Sequence, residues 1–169
     1  MSSGPRFIDN GDGTIKDTRY NLMWMRNDSY QDLRKFIGYI SSQKHSALKY
    51  VEAKNKERFA GHADWRLPTK QEAYSLYAPD SVILDTYDME IHLDPIFPAG
   101  GGYNTWTSNA RGKITAYVFS YNCGAGSHKE TDSCLNTSAR LVRQDGPSVP
   151  LPQSVPEMKA EPGLGGSWR

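Results

Sequence analysis

Apolar and polar positions along the chain mark many short elements rather than a few long ones. Arg6-Phe7-Ile8 reads as a strand and Thr14-Ile15-Lys16-Asp17 as its return. Between them, Asp9-Asn10-Gly11-Asp12-Gly13 supplies two glycines for the positive φ of a hairpin turn. Leu22-Met23-Trp24-Met25 is apolar on both faces and reads as a buried strand. From Ser29 to Ala60 the spacing lengthens to three and four. Tyr30, Leu33, Phe36, Ile37 and Ile40 make one stripe, and Ala47, Leu48, Val51 and Asn55 make another. The pattern predicts two helices parted at Ser41-Ser42, with Gly61-His62 ending the second. Thr69 and Glu72 stand at capping-box spacing, so a short helix is expected from Lys70 to about Tyr77, stopped by Pro79.

Residues 80–98 show no period and are expected to form an irregular loop. Tyr103 to Ser108 and Ile114 to Tyr121 read as a hairpin across Ala110-Arg111-Gly112-Lys113. Asn122 to Asn136 is expected to be a polar loop, and Thr137 to Arg143 the last strand. From Asp145 the composition changes: five of the ten prolines lie between Pro147 and Pro162. Such a segment buries too little apolar surface to offset its ordering entropy. The expected division is therefore a domain over residues 1–144 and a Pro/Gly-rich tail over 145–169. That tail is either flexible or docks on a partner, with Leu164 and Trp168 as anchors.

Composition sharpens the picture. The 169 residues suit one domain plus an appendage. Apolar residues make up only 37% while aromatics reach 11%, so rings must supply much of the core. A net charge of +1 argues against nucleic-acid binding through phosphates. No stretch is apolar enough to span a membrane. Met1 to Phe7 lacks the apolar segment of a secretory signal, which favours a cytoplasmic over a secreted site. The charge is unevenly spread: residues 34–58 hold seven Lys/Arg and two Glu, whereas 71–94 hold six Asp/Glu and no Lys/Arg.

Candidate chemistry is sparse. The basic segment, with Lys44, Lys49, Lys54, Lys56 and Arg58, is the best electrostatic candidate for an anionic polymer or acidic partner, and Lys49 and Lys56 share a face of a continuous helix. Tyr103, Trp106, Tyr117 and Tyr121 give the late hairpin aromatic surface, of which alternate members must face inward. Outward-facing members, with Tyr103, Tyr117 and Tyr121 as candidates, would form a binding face. Cys123 and Cys134 bracket a ten-residue loop, as a candidate disulfide or as two free thiols, and are too few for a structural zinc site. The Asp9–Gly13 turn looks like part of a calcium loop but lacks the distal bidentate Glu. No serine-histidine-aspartate order, phosphate-cradling loop or paired-histidine motif stands out, so no catalytic residue, metal or cofactor is expected.

Four blocks together resemble a known family. Phe7 to Thr18 with Leu22-Met23-Trp24 looks like its opening hairpin, and Ala60-Gly61-His62-Ala63-Asp64-Trp65-Arg66-Leu67-Pro68-Thr69 like its central signature. Asp94-Pro95-Ile96-Phe97 with Trp106-Thr107-Ser108, and Ala139-Arg140-Leu141-Val142-Arg143, resemble its later landmarks. The family is the Lcl C-terminal domain, first described at the end of a bacterial collagen-like adhesin and similar to the C-type-lectin and formylglycine-generating-enzyme superfamily. The resemblance covers roughly residues 6–143. It implies an α+β, C-type-lectin-like fold with small twisted antiparallel sheets, two or three helices and long irregular loops. Trp24, Trp65, Arg66, Pro68 and Trp106 would be its structural signature. Members usually carry two cysteines, expected to be joined, where this chain has Val51 and Leu141. A lost bridge costs about 2–5 kcal/mol, and two buried aliphatic side chains return roughly 1.5–3 kcal/mol each, so packing is an adequate replacement.

The family implies no single activity. The expected function is a non-catalytic interaction or assembly domain with a protein partner or a homo-oligomer. One alternative is an adhesin-type domain binding an anionic, sulfated polysaccharide. The other is a copper- or thiol-dependent oxidase of the formylglycine-generating type, because the related oxidases hold copper with two cysteines.

Overall fold

A computed structural model describes residues 4–40 and 44–158. Its architecture is α+β. The opening hairpin forms where the glycines predicted it: β1 (Phe7–Asp9) pairs antiparallel with β2 (Thr14–Asp17), with Ile8 opposite Lys16. β2 continues into β3 (Leu22–Met25). Gly13, at φ +91°, is obligatory there, since a Cβ would come within 2.9 Å of the Phe59 ring.

The next stretch departs from the helical pattern. α1 covers only Ser29–Leu33, capped by Asp28 and ended by Arg34 in the left-handed region. Phe36, Ile37 and Ile40, expected on a helical stripe, lie outside any helix. There the Ile37 N–H donates to Thr137 O and the Tyr39 N–H to Thr131 O, so the backbone spends its donors on a distant loop instead of on a helix. α2 (Ala47–Lys56) is the second predicted helix, capped by Ser46. A 3-10 turn follows at Phe59–Gly61. α3 (Lys70–Ser75) starts on the predicted box: the Glu72 N–H donates to Thr69 Oγ1 and the Thr69 N–H to Glu72 Oε1. Ser41-Ser42, Leu164 and Trp168 lie outside the described residues.

Two expected loops contain strands. Residues 80–98 hold a small hairpin, β4 (Ile83–Leu84) with β5 (Glu90–Ile91). The expected loop 122–136 holds β8 (Ala125–Glu130), which extends the hairpin of β6 (Asn104–Arg111) and β7 (Thr115–Ser120). The expected last strand is cut in two: β9 (Thr137–Ser138) runs parallel to β6, and after Ala139–Leu141 the chain crosses over so that β10 (Val142–Gln144) pairs with β3. The sheets are ordered β1-β2-β3-β10 and β8-β7-β6-β9.

Strand alternation builds two cores on opposite sides of shared walls. On β7, Tyr117 and Phe119 face one cluster with Trp24, Leu22 and Phe97, while Ala116 and Val118 face another with Trp65, Trp106 and Leu141. β3 divides likewise, with Leu22 and Trp24 to the first and Met23 and Met25 to the second. The three signature tryptophans are all buried. Trp106 donates its indole N–H to Ile37 O at 2.9 Å and Trp65 to Phe59 O at 3.0 Å. Val51 packs against the cluster that contains Leu141.

Candidate functional site

Two exposed features stand on this scaffold, a polar cleft and an apolar hairpin. The cleft, of about 210 Å³, lies between the opening hairpin and the first two helices and is lined by Gly13, Met25, Asn27, Gln31, Asp32, Lys54 and Phe59. Helical spacing assembles its wall: Tyr50 and Lys54 stand four apart on α2, so both reach Asp32 of α1. The Tyr50 hydroxyl donates to Asp32 Oδ2 at 2.9 Å, and the Lys54 ammonium meets the same oxygen at 2.9 Å. Lys54 also lies 5.0 Å from the Phe59 ring centroid and pairs with Glu57.

This trio is quiet in acid–base terms. Partial burial pushes Asp32 up, but the Lys54 and Tyr50 hydrogen bonds and the Lys54 charge outweigh it and hold the carboxyl below its ordinary range. Burial, then the Asp32 charge, pushes the Tyr50 phenol well above its ordinary value. Near neutral pH neither group exchanges a proton, so the cleft offers fixed dipoles for binding rather than a general base. Its volume falls below the usual range for small-molecule sites, about 300–1,000 Å³.

The hairpin is the larger feature. Ile91 faces the core, while Val82, Leu84, Tyr87 and Met89 are 40–63% exposed. Asp80, Asp88 and Glu90 stand exposed among them, and no Lys or Arg occurs in residues 71–94. Phe36 extends the patch, its ring 6.0 Å from that of Tyr87. The hairpin is held in place: Asp85 Oδ1 accepts from the Tyr87 and Met89 N–H groups, and the Gly100 and Thr86 backbones tie it to the glycine run. Isolated exposed apolar residues such as Ile114 and Leu135 are ordinary, but four on one small element form a patch.

The residues singled out in the sequence fare unequally. Lys44, Lys49, Lys56 and Arg58 are exposed, with Glu52 and Glu57 interleaved, whereas Lys54 is taken into the cleft. Tyr117 and Tyr121 are not surface groups. They fall on the inward alternation of the late hairpin, and the Tyr121 hydroxyl donates to Ala73 O at 2.7 Å. Tyr103 is half-buried, its hydroxyl accepting from Asn136. Cys123 and Cys134 are free and exposed. β8 lies between them in the chain. The Arg66 guanidinium grips the buried Glu72 with two hydrogen bonds, at 2.6 and 2.8 Å. Pro68 is buried, and its carbonyl accepts from the Ser108 N–H. Among the described residues no group of three or more His, Cys, Asp or Glu is placed to hold a metal ion, and no helix is long and apolar enough to cross a membrane.

Sequence reasoning missed Asp32, Tyr50 and Phe59. The four-residue spacing of Tyr50 and Lys54 was the available signal. It also missed the exposed hairpin, whose two-residue strands leave no readable alternation. In comparisons with known proteins, the family model described as the Lcl C-terminal domain matches residues 13–143. No curated protein and no solved structure matches the chain.

Proposed function

We propose, from the premise that the chain belongs to the Lcl C-terminal domain family, that it is a non-catalytic interaction and assembly domain with a C-type-lectin-like fold. The observation that carries this reading is the β4–β5 hairpin, an apolar patch edged by carboxylates and pinned to a rigid scaffold. Ordering such a patch in advance lowers the entropy cost of association. Apolar centres with polar rims are the usual anatomy of protein interfaces. The acidic rim selects a partner surface that is apolar and basic.

The test is the mass of the chain purified from its native cells, by size exclusion with light scattering, for the wild type and for Leu84→Glu/Tyr87→Ser. The wild type is expected to run in an assembly heavier than its 19.0 kDa chain, and the variant to run as a folded monomer. Monomers from both defeat the proposal.

A second reading rests on a separate observation, the exposed Lys44, Lys49, Lys56 and Arg58 along one segment. They suit sulfate or carboxylate groups of an anionic polysaccharide. Low-salt heparin retention that disappears in Lys44→Glu/Lys56→Glu/Arg58→Glu supports it, and no retention of the wild type removes it.

A further inference from the structure

From Asp145 to Met158 the chain stays on the domain. Its start is fastened by the Lys16–Asp145 ion pair at 3.1 Å and by the Asn21 side-chain amide donating to Pro147 O. Further on it returns to the outer edge of β8. Val155 packs against the first core cluster. The Gly126 N–H donates to Pro156 O at 3.0 Å, and the Met158 N–H donates to Gly126 O at 2.7 Å, a parallel bridge between Glu157 and Gly126.

Gly126 is specifically built for this contact. A Cβ there would overlap the Tyr117 hydroxyl. Its absence lets the Pro156 carbonyl approach both the Gly126 N–H and the Tyr117 hydroxyl, which donates to it at 3.4 Å. Pro156 has no N–H, so it asks for no acceptor on the edge. Around the slot the field is cationic. Lys70 Nζ lies 5.1 Å from the Tyr117 ring centroid and His128 stands edge-on to the same ring at 5.5 Å. The Glu157 charge reaches Tyr117 and His128, and the Arg111 and Lys70 charges reach His128. Outward backbone groups recur every second residue along an edge strand, so those of Gly126 recur at His128 and Glu130.

We infer that the outer edge of β8, centred on Gly126, is a peptide-recognition site of the strand-addition kind. Its ligand is an extended segment of a partner protein presenting a β-branched apolar residue, a proline and a carboxylate in succession. The chain's own Val155-Pro156-Glu157 holds this site in cis, and its fit defines the ligand chemistry. Backbone pairing supplies affinity, while the Val155 contact, the slot at Gly126 and the cationic surround supply selectivity. A tethered occupant acts at an effective concentration of order mM, so an incoming segment must outcompete the tail before it binds. The site is separate from the β4–β5 hairpin, and failure of either leaves the other standing.

The experiment uses the full chain, as wild type and as Val155→Ser/Glu157→Lys, which weakens the cis contact without touching the sheet. A fluorescent peptide of residues 151–160 is titrated and followed by anisotropy. The variant is expected to bind it about tenfold or more tightly than the wild type does, because its own tail no longer competes. The same peptide carrying Glu157→Lys should bind neither protein well. Equal affinity for wild type and variant, or no binding to the variant while it keeps the wild-type circular dichroism, overturns the inference. Hydrogen exchange gives a second reading: the Gly126 amide, which donates to Pro156 O, should lose protection in the variant and regain it when unlabelled peptide is added, and unchanged protection in the variant overturns it as well.

Discussion

Asn55 is the most informative single position to perturb. Its side chain sits at the end of α2 and clamps the backbone of Trp65: Oδ1 accepts from the Trp65 N–H at 2.8 Å and Nδ2 donates to Trp65 O at 2.9 Å. Trp65 is buried, so Asn55→Ala leaves a donor and an acceptor without partners in a poorly hydrated place. Each such group costs about 1–3 kcal/mol. Alanine gains roughly 0.5 kcal/mol of helix propensity in return, and Asn55, being half-buried, admits some water to the vacated groups. The expected net loss is about 2–4 kcal/mol. Asn55→Asp separates the two bonds. The carboxylate still accepts from the N–H but now faces the Trp65 carbonyl with no proton to donate. Protonation restores that donor, so the new carboxyl has a folded-state pKa above its unfolded value of about 3.9. Its stabilising contribution is full below the unfolded pKa and is lost as pH rises through the folded one. The deficit of Asn55→Asp relative to wild type should therefore shrink as pH falls from neutral toward 4. Urea unfolding followed by tryptophan fluorescence measures both effects. A loss below about 0.5 kcal/mol for Asn55→Ala, or a pH-independent deficit for Asn55→Asp, refutes the clamp.

Other outcomes are as specific. Tyr121→Phe removes a buried hydroxyl bond to Ala73 O and should cost about 1 kcal/mol in urea unfolding, with no change in any binding measurement. Glu72→Gln leaves Arg66 without its carboxylate and weakens the α3 cap, so a loss of about 2–4 kcal/mol is expected, read by thermal unfolding. Asp32 has a depressed folded pKa, so its contribution is present above about pH 4 and fades as pH falls through the folded value. Asp32→Asn should lower stability at neutral pH and flatten the acid limb of the stability curve. His128 is also held down, first by burial and then by Arg111 and Lys70 against Glu157, with Tyr117 packed on its ring. Protonation below about pH 6.5 therefore opposes the folded β8 edge. The protection factor of the Gly126 amide, its exchange rate relative to the free peptide at the same pH, should fall between pH 7 and 5, and fall less in His128→Gln.

Elements with strong local chemistry were legible in the sequence. The Asp9–Gly13 turn and the Thr69/Glu72 box name their own backbone geometry, and both form as read. The tryptophan blocks were legible as core because burial is the commonest fate of such a ring; Trp65 and Trp106 find a carbonyl for the indole N–H, whereas the buried N–H of Trp24 has no partner among the described residues. What escaped depends on distant partners. Ile37 and Ile40 have helical spacing, yet their N–H groups bond to Thr137 O and Thr131 O, which no local window contains. β8 reads Ala-Gly-Ser-His-Lys-Glu, without apolar alternation, because its pairing to β7 is carried by backbone groups. Tyr117 and Tyr121 were ambiguous by construction: alternation says that one face is buried but not which one. The tail was read as unable to order itself, which is sound for an isolated segment. Val155 and Pro156 order here by borrowing a surface that the domain has already built.

The crossing at Ala139–Leu141 bears on how the protein is made. β3 waits for a neighbour that leaves the ribosome more than a hundred residues after it, and the buried Arg140, whose guanidinium is bonded to the carbonyls of Met25 and Arg26, arrives with that neighbour. Until then the nascent chain carries an unsatisfied, largely apolar strand flank, and neither half can close around its tryptophans. Folding should thus be late and abrupt rather than progressive. Stalling translation just short of this crossing would give a species that chaperones hold, and a few further codons would release it.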